Sequence, residues 1–201
     1  MGYHLAGFDK IIGVDNKPQP NYPFEFVLAD AMTFPLDGFD LIHASPPCQR
    51  FARSRHLGKT RGYKRSEVDL LQPTLDRLTG FPLYVVENVP DAPIGESVVL
   101  CGSMFGLNVR RHRRFRCSFF FPVPLCNHKK QGRPVGVYHR MKDSIPHGGR
   151  TANTLEEGQQ AMGMDWAPWD ELKEAVPPAY TEYIGKQILE QLSQKGPLRA
   201  Y

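Results

Sequence analysis

Four short, predominantly apolar runs constrain this chain more than any other feature. Ile11–Val14 ends in Asp15 and Phe24–Ala29 ends in Asp30; Phe39–Ala44 runs into Ser45-Pro46-Pro47-Cys48, and Leu83–Val86 delivers Glu87 and Asn88. Runs this short and apolar read as strands of a buried parallel sheet. Between the third and fourth, Ser66–Thr79 reads as a helix, with Val68, Leu70, Leu71, Leu75 and Leu78 near helical spacing despite Pro73. Strands alternating with crossovers predict an α/β fold with a parallel sheet. Ligands of such sheets bind beyond the carboxyl ends of the strands. Asp15, Asp30, Cys48 and Glu87 all fall at those ends. From Arg110 to Arg150 the chain reads as irregular, and Thr154–Met162, Trp166–Ala175 and Ala179–Leu192 read as closing helices.

With 201 residues, 41% hydrophobic and 23% charged, the composition excludes a disordered chain and fits one ordinary domain with a small appendage. No apolar run approaches the roughly 18–20 residues of a membrane span. The first residues carry neither a basic stretch nor a long apolar core, so no secretory signal is expected, and a reducing cytoplasm is. Cys48, Cys101, Cys117 and Cys126 show no CxxC spacing.

The net charge of +4 is unevenly spread. Residues 1–100 hold 10 Lys/Arg against 12 Asp/Glu, residues 101–150 hold 11 against 1, and residues 151–201 hold 4 against 8. A local excess of +10 over fifty residues suits a polyanion, because neutralising phosphates releases counterions. A solvated basic face accounts for the charge equally well.

Three motifs carry chemistry. Pro46-Pro47 fixes φ twice ahead of Cys48, holding the thiol rigidly at a strand end as a candidate nucleophile; a lone cysteine is also a common small core residue. Glu87 emerges from a buried strand, where desolvation raises a carboxyl pKa toward proton donation; an arginine partner there would make it structural instead. Val109-Arg110-Arg111-His112-Arg113-Arg114-Phe115-Arg116 places five arginines within seven positions, a pattern suited to anionic oxygens or to a solvated run.

In this order, PPCQ at a strand end, then ENV, then RxR ahead of Phe115, the chain resembles the cytosine-C5 DNA methyltransferase family. Gly13-Val14-Asp15, Ala29-Asp30-Ala31 and Ala175-Val176-Pro177-Pro178-Ala179 extend the likeness over nearly the whole chain. Ala161–Trp166 and Pro177–Gly185 look like the compact versions carried by bacteriophages, which suggests a restriction-modification setting. The fold implied is a Rossmann-like S-adenosylmethionine-dependent methyltransferase sheet with a small basic recognition insertion. The division implied is a core at 1–116, a target-recognition insertion at 117–150 and a helical part at 151–201 that completes the core.

The resemblance implies Cys48 as the nucleophile toward ring carbon 6, Glu87 at ring nitrogen 3, Arg113 at the 2-oxo group and Arg111 ordering the catalytic loop. It implies S-adenosylmethionine held by Asp15, Asn16, Asp30, Ala31, Pro46 and Glu174. Double-stranded DNA would meet Gln49, Arg50, Arg53, Arg55, Arg110, Arg114, Lys129, Lys130 and Arg133. The segment from Gln49 to Arg55, Phe51 included, would close over a base flipped from the duplex.

Three departures qualify the match. The family opens with a middle strand and a Gly-rich turn, whereas Met1–Phe8 already resembles the helix after that turn. The expectations are a longer native chain, a separate chain supplying the strand, or a silent nucleic-acid-binding relative, with two apolar strand edges unpaired in its absence. The recognition stretch, Ser118–Arg150, is short, so loose specificity is expected, and RNA or a free cytosine nucleotide is an alternative substrate. Lys173-Glu174 stands where Gly-Asn is common. Cys117, Cys126 and His128, with His139 or His147, match no standard zinc spacing; two buried cysteines, solvent-facing histidines and no metal are expected.

Overall fold

The four apolar runs form strands β1 (Ile12–Asp15), β2 (Glu25–Leu28), β3 (Ile42–Ala44) and β4 (Tyr84–Asn88). These come from a computed structural model that describes residues 1–51, 69–138 and 150–195. Arg53, Arg55, His139 and His147 lie outside the described residues. The architecture is mixed α/β, and no described helix is long and apolar enough to cross a membrane. The chain divides into two compact units that interleave in sequence: residues 1–29, 101–111 and 124–201 in the first, 30–100 and 112–123 in the second.

In the first unit β1 and β2 pair in parallel, Ile12 opposite Glu25 and Asp15 opposite Leu28. A short helix α1 (Gly2–Ala6) lies against the long closing helix Pro178–Lys195. Their approach is close enough that a Cβ at Gly2 would stand 2.2 Å from the Pro178 carbonyl oxygen, so only glycine fits there. Strands β7 (Val135–Gly136) and β8 (Arg150–Thr151) form a second parallel pair. The core here gathers Val109, Val135, Val137, Ala152, Ala161, Met162 and Leu172, with Trp166 and Trp169 packed on it. Leu155–Met162 (α4) is capped by Thr154, whose hydroxyl accepts from the Glu157 amide at 3.2 Å. Trp169–Glu174 (α5) and Pro178–Lys195 (α6) complete this unit. They shorten one expected helix at its start and lengthen another at both ends, as Pro168 and Pro177-Pro178 dictate.

The second unit carries a four-stranded sheet in the order β3-β4-β6-β5, with β5 at Val98–Leu100 and β6 at Arg113–Cys117. Helix α2 (Leu71–Leu78) packs Leu71, Leu75 and Leu78 with Val86, Ala92 and Ile94. Pro73 is the third residue after the Leu70 N-cap, inside the first turn, where its missing N–H has no intrahelical acceptor to lose. The first helical bond is made by the next residue, Thr74 N–H to the Leu70 carbonyl at 2.9 Å.

Two expectations change. The sheet is not wholly parallel: β3 and β4 are parallel, but β6 runs antiparallel to β4 and to β5. The strands also do not join into one sheet among the described residues; β1 and β3 are each edge strands of separate sheets. The arginine-rich stretch, read as irregular, supplies the central strand β6. It can do so because Phe115 is fully buried while the flanking guanidinium groups find carbonyl acceptors. Hydropathy registers the arginines and not those acceptors.

Candidate active site

The carboxyl ends of β3 and β4 lie side by side because the two strands pair in register, Ala44 opposite Val86. Beyond β3, Pro46 is buried and Cys48 half-buried, and the Cys48 carbonyl accepts from the Phe51 amide at 2.9 Å. As the last residue of β4, Asn88 is fully buried and donates its Nδ2–H to the Pro46 carbonyl at 3.0 Å, while its Oδ1 accepts from the Val89 amide at 2.9 Å. The carbonyl of this buried residue needs a donor, and the Asn88 amide supplies one. Asn88 is therefore the tether of the Cys48 loop, a role the sequence reading did not assign. Its signal was a buried amide at a strand end, next to the acid that drew attention.

Glu87 is 7% exposed and pairs with Arg113 of β6, Nε to Oε1 at 3.1 Å. The antiparallel register places Phe115, not Arg113, opposite Glu87, so the pair spans a diagonal of the sheet. Arg113 also donates from Nη1 to the His112 carbonyl at 2.9 Å, and among the described residues Nη2 has no recorded partner. This arginine partner is the one the structural alternative for Glu87 called for; the same pair also presents an acceptor and a forked donor side by side. That combination suits a planar heterocycle bearing a ring N–H next to a carbonyl oxygen.

His43 of β3 meets Ser45 Oγ at 3.2 Å and the Phe115 ring edge-on, centroids 6.5 Å apart. Burial pushes its imidazole down to about 4, so the ring stays neutral through the physiological range. The unfolded chain takes up this proton first, near pH 6.5, so the stability tied to a neutral His43 is full above that value and is lost as pH falls toward 4. The loss reaches up to about 3 kcal/mol. Denaturant titrations at pH 7.5 and pH 4.5 check this; His43→Gln flattens the difference, and an unchanged pH dependence in that variant refutes it.

The other candidates are dispersed. Gln49 and Arg50 are exposed, and Arg50 pairs with Asp69 at 3.5 Å. Arg114 is fully occupied: its nitrogens reach Ser97 Oγ, the Ala92 carbonyl and the Gly95 carbonyl at 2.8, 3.1 and 2.7 Å. Asp30 caps its own turn through the Met32 amide at 2.8 Å, and the Ala31 carbonyl accepts from Arg77 at 3.1 Å. Both residues are exposed.

In the first unit, Asp15 at the end of β1 accepts from the Lys17 amide at 2.8 Å and from Gln19 Nε2 at 3.3 Å. A carboxylate offers about four acceptor positions, so capacity remains for a vicinal diol such as a ribose. Asn16 and Glu174 are exposed. Lys129, Lys130 and Arg133 are exposed as well, whereas Arg110 reaches Gln131 Oε1 and the Gly132 carbonyl, each at 3.3 Å.

Arg111 is 2% exposed and sits at φ +34°, the one described non-glycine residue with positive φ. Its guanidinium donates to the carbonyls of Ala175, Val137 and Lys173 at 2.7, 3.3 and 2.5 Å and stacks 5.3 Å from the Tyr138 ring centre. The Tyr180 hydroxyl in turn approaches the Arg110 and Arg111 carbonyls at 3.2 and 3.0 Å. This reciprocal latch caps the C-terminal end of α5 with a cation, a favourable placement against the helix dipole.

No protein-family model matches this chain, and no curated protein matches it.

Proposed function

We propose that this chain is the catalytic part of a DNA cytosine-C5 methyltransferase that uses S-adenosylmethionine. The observation that carries this reading is the pairing at the ends of β3 and β4, where Asn88 tethers the Pro46-Pro47-Cys48 loop and Arg113 pairs with Glu87.

Cytosine is a weak carbon nucleophile because its ring is aromatic. The Cys48 thiolate would add to carbon 6, breaking that aromaticity and making carbon 5 electron-rich. Glu87, in its acid form, would give its proton to ring nitrogen 3 as the thiolate adds, and Arg113 would donate to the 2-oxo group, so negative charge does not accumulate on the ring. S-adenosylmethionine supplies the methyl group when bound. Carbon 5 would then give its proton to a water molecule, the Cys48 thiolate would leave, and the nitrogen 3 proton would return to Glu87 as aromaticity is restored. Asp15, with acceptor capacity beyond its two local bonds, fits the ribose of that cofactor. Asn16, Asp30, Ala31, Pro46 and Glu174 are named as further contacts by the resemblance alone.

Lys129, Lys130 and Arg133 are the exposed cations best suited to phosphate among the described residues of the insertion. Because Arg110, Arg111 and Arg114 are taken up by carbonyl and side-chain acceptors, the cationic surface is smaller than the raw charge suggests. A smaller set of phosphate contacts gives a shallower salt dependence.

Calorimetric titration of S-adenosylmethionine, followed by methyl transfer to duplex DNA, RNA and a cytosine mononucleotide, tests the reading. The expected result is micromolar cofactor binding, in this chain or after a strand and Gly-rich turn are placed ahead of it, with duplex DNA as the preferred acceptor. Absence of cofactor binding in both forms overturns it in favour of a nucleic-acid-binding protein without catalysis.

A further inference from the structure

The segment between Pro124 and Gly132 is held by hydrogen bonds rather than by burial: Asn127 Oδ1 accepts from the Lys130 amide at 3.0 Å, and the Asn127 amide donates to Ser103 Oγ at 3.2 Å. Helix α3 (His128–Gln131) has four residues and none of them is buried. An isolated helix shorter than about 12 residues is not stable in water. Leu125 beside it is 90% exposed, so apolar burial does not anchor the segment there. Its C-terminal end is pinned by Gln131, whose Nε2 donates to the Leu107 and Val109 carbonyls at 2.8 and 3.0 Å. At its N-terminal end three soft and borderline donors gather instead.

Cys101, Cys126 and His128 bring their ligand atoms within 4.8 Å of one another. Cys101 Sγ and His128 Nε2 are 3.3 Å apart. Tetrahedral zinc with ordinary Zn–S and Zn–N bond lengths sets such atoms about 3.6 Å apart, so the donors need only a small adjustment. We propose that Cys101, Cys126 and His128 bind a zinc ion that clamps α3 onto the stretch beginning at Cys101.

Two thiolates and an imidazole are a donor set selective for zinc over magnesium or calcium, which take oxygen ligands. The two thiols release their protons as the metal enters. The remaining tetrahedral position goes to water or to another histidine. This set corrects the sequence reading. Cys126 is exposed rather than buried, and Cys117 belongs to β6, where burial pushes its thiol up to about 12. Cys101, 25 positions before Cys126, was the sulfur that spacing did not suggest.

Such an ion would fix Lys129 and Lys130, on α3, in place. Its binding does not depend on methyl transfer, so its test stands apart from the proposed function.

The test is elemental analysis of the full chain purified under reducing conditions without chelator, with cobalt(II) substitution to read thiolate-to-metal charge transfer. About one zinc per chain is expected, lost in Cys126→Ser and in His128→Ala and retained in Cys117→Ser. Cys126 is exposed, so Cys126→Ser separates loss of metal from failure to fold, with circular dichroism as the check. Substituting His112, His139 and His147 in turn identifies any fourth ligand, recognised by a changed cobalt spectrum. A folded, reduced chain that takes up no zinc when zinc is offered overturns the proposal. So does zinc retained in both Cys126→Ser and His128→Ala, or a Cys101–Cys126 disulfide in the chain isolated from a reducing cytosol.

Discussion

Cys48→Ser is expected to leave the chain folded and to abolish methyl transfer to cytosine, a fall of about 10⁴-fold or more. Serine is close in size to cysteine, and Cys48 is half-buried, so the cost in stability stays within about 1 kcal/mol. The loop keeps its shape because its anchor is the Pro46 carbonyl bonded to Asn88, which the substitution does not touch. What is lost is the nucleophile: an alcohol is far less acidic than a thiol, and the attack on carbon 6 needs the anion. Duplex DNA carrying 5-fluorocytosine separates this role from a structural one. Once methylated, its carbon 5 has no proton to lose, so the bond to Cys48 persists and the complex survives denaturation. Cys48→Ser must lose that complex while keeping the unfolding midpoint of the parent chain. Retained methyl transfer in the variant removes Cys48 from the mechanism.

The second large effect falls on stability. Arg111→Ala is expected to destabilise the first unit by about 3–5 kcal/mol, because it leaves the buried Val137 carbonyl and the part-buried carbonyls of Lys173 and Ala175 without their donor. The stacking on Tyr138 is lost with it, a further fraction of that figure. The backbone at φ +34° costs about 1–3 kcal/mol and persists because both the guanidinium and the Tyr180 hydroxyl hold it. Arg111→Lys recovers only part of the loss, since a single ammonium cannot serve three carbonyls in a fork geometry. Tyr180→Phe should cost less, about 1–2 kcal/mol, by removing one hydroxyl. Denaturant midpoints rank the three. An Arg111→Ala midpoint equal to the parent's would show that the latch is not structural.

These expectations place Arg111 differently from the other arginines of its motif. All five were legible as one cationic cluster, and the family resemblance assigned four of them, Arg110, Arg111, Arg113 and Arg114, to base, loop and phosphate. In the structure only Arg113 faces a carboxylate in the candidate site; Arg111, Arg114 and Arg116 hold backbone carbonyls. A guanidinium satisfies carbonyl and phosphate oxygens equally well, so residue type alone does not reveal which it meets. Cys101 illustrates the same limit. Its neighbour His128 is 27 positions away, and only the folded chain brings the two within 3.3 Å.

What the sequence determined by itself is local. Short apolar runs located β1 to β4, and helical spacing and proline located the helices ending at Met162 and beginning near Pro178, because such signals act over a few residues. It also placed Cys48 in the loop after its run and Glu87 at the end of its run, although β4 extends to take in both Glu87 and Asn88. The tertiary structure decided which strands pair and in which direction, and it put an arginine-rich strand at the centre of a sheet. It also chose which polar groups answer one another: Asn88 for Pro46, Arg113 for Glu87, Tyr180 for Arg111. Buried polar groups must find partners, and those partners lie at distances along the chain that no local pattern encodes.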